Sequence, residues 1–345
     1  MKRRTVPVAA VLLSACLLHG VTSAEPSQSE FPREVHHAQG TTTIPAVPKR
    51  VVVMDLASLD NFDTLGIPVV GVPELASHMF PEWLSEYASD DYAKVGSLFE
   101  PDVDAIKKLN PDLIVVASRS SGKLDTLASI APTIDLSTTT SGFVASTVQN
   151  LLTIGTIFDQ QELANQKAIE LLQNVRELHT DAATRGTGLL LFSVRDSIIP
   201  QPPATRFGVI HELIGMPSVM TKADAGPPRQ KNKADDAQEQ TPEQIAQAEA
   251  RKREQAKKDA KRLQMLLDRD PQWLISLDRN SAFGERESGA EVLQSRTAVT
   301  ESGVWRSKKV IYLDGRGWYL APGGAQQLQH AIDTIQNAFD QHSQN

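Results

Sequence analysis

Three arginines and a tyrosine carry the chemical interest of this sequence: Arg119, Arg206, Arg279 and Tyr319, with Trp318 beside the last. Arg119 closes LNPDLIVVASR (109–119), and Arg279 closes LDRDPQWLISLDR (267–279). In both stretches the arginine stands eight residues after a proline that follows an acid or amide. The apolar run between proline and arginine reads as a strand buried on both faces, hence parallel-sheet material. Arg206 follows the proline-rich turn at 200–203 and opens a helical pattern over 207–214. Trp318 and Tyr319 lie past a strand at 309–313 and before Pro322-Gly323-Gly324. Ligands of open parallel sheets bind beyond the carboxyl ends of the strands, so these groups should face one cleft. Guanidinium forks match planar, delocalised anions. The structural alternative pairs the arginines with carboxylates, for which Asp278 and Glu212 are available.

Catalytic signatures are missing. No G-x-S-x-G elbow, phosphate-binding G-x-x-x-x-G-K-[ST] loop, H-E-x-x-H pair or strand-borne G-x-G-x-x-G occurs. The chain is read as a binder and not an enzyme. Its eight histidines, His36, His37, His78 and His211 among them, are dispersed. None falls at a strand end, so capture of a bare metal by converging His and carboxylate ligands is not expected.

The elements that must position these residues alternate strand and helix. Strands are expected at 51–56, 69–72, 113–118, 132–136, 189–194, 273–277 and 309–313, with helices at 59–65, from Pro101 to Leu109, near 122–130, and from Ala325 to Phe339. A second echo, LDNFDTLGIPVVGV (59–72) against FGVIHELIGMPSVM (207–220), pairs with the first in the same order. The expected fold is therefore α/β: two Rossmann-like lobes with parallel sheets, a ligand cleft between them, and a helical connector. The first lobe spans 25–140, the connector and its following helix 141–184 with a break at Asp159, and the second lobe 185–345. A charged insert, 222–262, interrupts the second lobe. Residues 221–262 hold eleven Lys or Arg, eight Asp or Glu and one large aliphatic side chain, Ile245. Thr241-Pro242-Glu243-Gln244 opens a helix there, read as a solvated protrusion on a disordered linker at 223–240.

At 345 residues with net charge −7, the chain is no nucleic-acid binder by bulk electrostatics. Residues 1–24 have the basic start, short apolar run and small-residue exit of an export signal, with lipidation at Cys16 as the alternative to cleavage after Ala24. Cys16 is the one cysteine, so no disulfide or thiolate site is expected in the mature chain.

With those residues in view, the chain resembles periplasmic binding proteins of ABC importers for ferric siderophores, the helical-connector class that also includes haem and vitamin B12 binders. The likeness is strongest to the catecholate-siderophore branch. It rests on RVVVMDLASLDNFDTLGI (50–67), LNPDLIVVASR, TRFGVIHELIG (205–215), PQWLISLDRN (271–280) and KVIYLDGRGWYLAPGG (309–324). The resemblance implies a periplasmic monomer that needs no cofactor, binds an anionic ferric siderophore and delivers it to an inner-membrane permease. It implies that Arg119, Arg206 and Arg279 clasp the complex, with Tyr319 helping and Trp318 or Tyr319 covering ring faces. Tyr319 could also fill an open iron position. The branch's further histidine, in a glycine-rich loop, has no counterpart where the charged insert stands. A haem, corrinoid or other bulky-ligand binder, or a scaffold using the insert, is the alternative.

Overall fold

The computed structural model describes residues 31–225, 242–284 and 288–343. The export signal with Cys16, and the linker from 226 on, lie outside the described residues.

A hairpin of β1 (Arg33–His37) and β2 (Gly40–Ile44) precedes the first lobe. That lobe comprises β3 (Val51–Val53), α1 (Leu56–Thr64), β4 (Gly71–Val72), β5 (Ala93–Lys94), α2 (Val103–Leu109), β6 (Leu113–Val116), α3 (Leu124–Ala128) and β7 (Thr133–Asp135). Its strands are all parallel, in the order β5-β4-β3-β6-β7. Helices cover both faces, which is why the central strands β3 and β6 are apolar at every position. Val53 and Val115 point into one core and Val52, Ile114 and Val116 into another. Helix α2 starts later than Pro101: Asp102 is its cap, accepting from the amides of Asp104 (3.1 Å) and Ala105 (2.9 Å). Pro101 instead forms a bridge with Gly96.

The connector is α4 (Phe143–Ile157) and α5 (Gln161–Ala182), parted by Asp159 in the left-handed region at φ 56. A Cβ on Gly155 would lie 2.3 Å from that of Ala164, so the helices approach more closely than a larger residue allows. Arg33 of β1 clamps the bend, donating to the carbonyls of Thr156 and Ile157 and pairing with Asp159.

The second lobe contains β8 (Gly188–Val194), β9 (Ser197–Pro200), α6 (Val209–Ile214), α7 (Pro242–Leu267), β10 (Trp273–Asp278), α8 (Arg279–Ala282), α9 (Gly289–Gln294), α10 (Thr297–Thr300), α11 (Gly303–Arg306), β11 (Val310–Leu313), α12 (Gly315–Leu320) and α13 (Ala325–Ser343). Its order is β11-β10-β8-β9, and β9 runs antiparallel to β8. The sheet is thus not wholly parallel. Pro200 ends β9 at the sheet edge, where a missing N–H breaks no inner ladder. The two sequence echoes occupy matching places. β6 and β10 each pair in parallel with the first strand of their lobe, Val51 opposite Leu113 and Gly188 opposite Trp273. Asn110 and Asp270, the residues before the two prolines, are both left-handed, at φ 45 and 53. Asn and Asp tolerate that region best among residues with side chains.

Helix α13 touches both lobes. Its far end packs Phe339 edge-on to Trp273 of β10, with ring centroids 4.9 Å apart. Its start lies on α1, where fully buried Asp60 accepts from the amides of Gln326 (2.8 Å) and Gln327 (3.1 Å) and from Trp83 Nε1 (2.8 Å). Burial pushes the Asp60 carboxyl up to about 7; those three donors oppose the shift and the nearby Asp63 adds to it. A folded-state pKa above the unfolded one means that the folded chain binds the proton more tightly, so stability contributed here falls as pH rises from about 4 to about 7. Asp60→Asn should remove this part of the slope, measured as the difference between the two proteins' melting temperatures across that range.

Among the described residues the insert is tied at its base. Leu263, Leu266 and Leu267 of α7 join the second core, whereas Arg251, Arg253, Lys257 and Lys258 are exposed. Arg269 forks onto Asp224, both bonds 2.7 Å, and Asp224 also accepts from the Thr221 amide and hydroxyl, each 2.8 Å. Replacing 226–258 with a short flexible linker should leave the melting temperature unchanged, because loop length alters closure entropy slowly. A deletion beginning at 223 removes the Asp224 fork and should lower it.

Candidate functional site

The loop bearing Arg119 is fixed by its neighbours. Ser118 takes a left-handed backbone (φ 50) and its amide donates to Ser137 Oγ at 2.7 Å, while buried Ser120 Oγ accepts from the Ala117 amide at 3.1 Å. This leaves Arg119 to reach out of the first lobe, where it donates to the backbone carbonyl of Tyr319 in the second. Arg206 sits on the turn before α6, held by Thr205, whose hydroxyl donates to the Pro202 carbonyl (2.8 Å) and accepts from the Gly208 amide (3.2 Å). Arg279 is the first residue of α8. Asp278 caps that helix through the Asn280 amide (2.8 Å), and Asn280, nearly fully buried, ties it to both backbone groups of Arg195. Tyr319 lies in α12, which Asp314 caps through the Arg316 and Gly317 amides.

These four residues converge. The guanidinium carbons of Arg206, Arg119 and Arg279 lie 4.9, 5.2 and 5.4 Å from the Tyr319 ring centroid. The carboxylates that sequence offered as partners are spent elsewhere. Asp278 caps α8, and Glu212 accepts from the Val144 amide at 3.0 Å. Among the described residues neither Arg119 nor Arg206 forms a salt bridge. Burial acts to raise the Tyr319 phenol, but the hydrogen bond from Arg279 and the charges of Arg206, Arg279 and Arg119 outweigh it and hold the phenol below its usual value. Burial and the charge of Arg119 together lower the Arg206 pKa, against the pull of Tyr319.

Trp318 is a correction. It is 1% exposed, packed in the core with its ring 6.1 Å from that of Phe143, and offers no face to a ligand. Successive residues of a helix point about 100° apart, so Tyr319 facing the cleft turns Trp318 away from it. The aromatic surface comes from residues that carried no sequence signal. Phe99, 59% exposed on a first-lobe loop, lies under Arg119 at 5.8 Å. Phe283 lies under Arg279 at 4.1 Å and meets Tyr319 edge-on at 5.3 Å; Phe207 lies under Arg206 at 4.8 Å. A ring under each guanidinium is a cation–π arrangement, and it orients the forks without neutralising them.

The histidines do not assemble. His36 and His37 bond to Thr41 and Thr42 within the β1–β2 hairpin. His211 is buried in α6, where burial pushes it down to about 4 and keeps it neutral. His78 is exposed near the second lobe, its Nε2 3.9 Å from where a Cβ on Gly284 would lie. Among the described residues no cluster of three or more His, Cys, Asp or Glu is spaced to hold a metal.

The chain is 29% identical over 338 residues to the petrobactin-binding protein YclQ of Bacillus subtilis, covering 96% of both chains. It is 25% identical to the ferric-anguibactin-binding protein FatB of Vibrio anguillarum, covering 97% of this chain and 98% of that one. The crystal structure of YclQ superposes with a TM-score of 0.73 at 27% identity, over 90% of this chain and 99% of that one. The periplasmic catecholate-siderophore binding protein VctP of Vibrio cholerae, at 23% identity, shares the fold with a TM-score of 0.71, over 88% and 99% of the two chains. The profile of the periplasmic binding proteins matches residues 51–316, and the chain belongs to that family.

Proposed function

We propose that the chain binds an anionic ferric siderophore of catecholate type in the periplasm and delivers it, as a monomer, to an ABC permease. The observation that carries this reading is the convergence of three guanidiniums from two lobes on one tyrosine ring, with neither Arg119 nor Arg206 in a salt bridge among the described residues. A ferric tris-catecholate bears three negative charges spread over oxygens that accept fork-shaped bonds. Its rings suit the faces of Phe99, Phe283 and Tyr319. Nothing in this task requires a nucleophile or proton transfer. The similarity to petrobactin- and anguibactin-binding relatives supports the same ligand class. In the mature chain the lobes and connector at 25–140, 141–184 and 185–345 form the binding unit, with the insert outside it.

Tryptophan emission tests the reading directly. A ferric tris-catecholate should quench it in the micromolar range or below, and a ferric hydroxycarboxylate much less; a haem Soret shift with no response to the catecholate would overturn the reading. Within that assay Arg119→Gln and Arg279→Gln should each weaken catecholate binding by about 2–5 kcal/mol, the cost of truncating a partner in a desolvated charge contact. Arg206→Gln should cost less, because Arg206, although partly desolvated, is the most exposed of the three arginines and solvent screens its charge more than theirs. A neutral iron chelate should bind all three variants about as well as it binds the parent.

Tyr319 has its own signature. Tyr87, Tyr92 and Tyr312 are all shifted upward, first by burial, whereas Tyr319 is shifted downward on balance. Phenolate absorbance followed against pH should therefore show one early-ionising group among the four tyrosines. Tyr319→Phe should abolish that early step, and a bound trianionic ligand should delay it.

A further inference from the structure

A helix start leaves its first amides without partners inside the helix, and the residue just before the helix usually supplies an acceptor. Helix α13 does otherwise. The residue before it is Gly324, which has no side chain, and the acceptors come from α1 in the opposite lobe. Asn61 Oδ1 accepts from the Ala325 amide (3.0 Å), Asp60 Oδ1 from Gln326 (2.8 Å) and Asp60 Oδ2 from Gln327 (3.1 Å). A Cβ on Gly324 would lie 2.2 Å from the Asp60 carboxyl carbon, so the carboxylate reaches the amides only because that residue is glycine. Further bonds tie the same segment down. Asn61 Nδ2 donates to the Gly323 carbonyl (3.3 Å), and the Gln326 side chain donates to Asp63 (2.7 Å). Trp83, which donates to Asp60, stacks on His330 of α13 with centroids 4.3 Å apart.

The segment so anchored is the one that carries Tyr319, five residues before Gly324. At its other end the Tyr319 carbonyl accepts from Arg119, again from the first lobe. Tyr319 belongs to the second lobe by sequence, yet its own carbonyl and the segment that follows it are tethered to the first. We propose that Asp60 and Asn61 are positioning residues for the cleft: by capping α13 across the lobe boundary they hold Tyr319 against the three arginines and fix the angle between the lobes. What the cleft binds rests on the function proposed above; the positioning itself does not.

Asp60→Asn keeps the shape and replaces one acceptor oxygen with a donor facing the α13 amides. Cys16 is the only cysteine in the sequence, and the chain taken from residue 25 onward carries none. Spin labels at Lys108→Cys and Glu301→Cys, exposed positions on the two lobes, therefore report the interlobe distance in the full mature protein. The expected result is a broadened distance distribution in Asp60→Asn, with ferric tris-catecholate affinity down about tenfold or more. Tyr319→Phe should cost clearly less in the Asp60→Asn background than in the parent, since the tyrosine is already displaced. An unchanged distribution, or equal Tyr319→Phe penalties in both backgrounds, overturns the proposal. If Asp60→Asn does not fold, Asn61→Ala, which removes the bonds to Gly323 and Ala325, is read in the same two ways. Failure of the parent to bind a ferric tris-catecholate would sink the proposed function instead, and the distance measurement alone would then decide the positioning role.

Discussion

Three guanidiniums gathered round one ring repel one another, and the rest of the architecture answers to that repulsion. Two unit charges about 8 Å apart at an effective dielectric of about 20 repel by ~2 kcal/mol. The lowered Arg206 pKa, caused by burial and then by Arg119, is the local trace of that cost. One charge comes from the first lobe and two from the second, so freely hinged lobes would relax by moving apart. The molecule resists through α4 and α5, closely packed at Gly155 and clamped by Arg33, and through α13, which rests on both lobes. Tyr319 takes up part of the field by shifting toward its ionised form. On the proposed reading, a trianionic chelate turns this stored repulsion into attraction while the frame stays nearly still.

The parts of this design that show in the sequence are those written by local rules. Asn110-Pro111 and Asp270-Pro271 mark the entry to β6 and β10 because a left-handed residue and a rigid proline set the turn, and the apolar runs after them report burial on both faces. Chain order then places the arginine beyond each strand. The parts that do not show depend on distant partners. Asp60 reads as one more polar residue on an amphipathic helix; its partners on α13 are more than 260 residues away. Phe99 and Phe283 lie in loops, which have no period to reveal a facing surface. Trp318 was misplaced because α12 has only six residues, too few for periodicity to show which of two adjacent aromatic residues faces inward. Strand β9 was hidden by Pro200, which signals a turn as readily as an edge strand.

The charge of the whole molecule opposes the charge of the cleft, and this says what kind of recognition the site performs. The chain carries net charge −7, so at a distance an anionic chelate is repelled rather than steered inward. At physiological ionic strength that repulsion fades over a Debye length of about 8 Å, and the arginines act only once the ligand is among them. Short-range attraction of this kind favours residence and selectivity over speed of encounter. A cationic cluster alone would accept any compact anion, phosphate included. The rings beside the guanidiniums change that, because Phe99, Phe283 and Tyr319 present apolar faces that a small hydrated anion leaves wet. An aryl chelate covers those faces while its oxygens reach the forks, gaining hydrophobic burial and charge-assisted bonds in one pose. The selectivity proposed for this cleft therefore lies in the pairing of each arginine with an aromatic ring, since neither element alone separates a catecholate complex from the other anions it would meet.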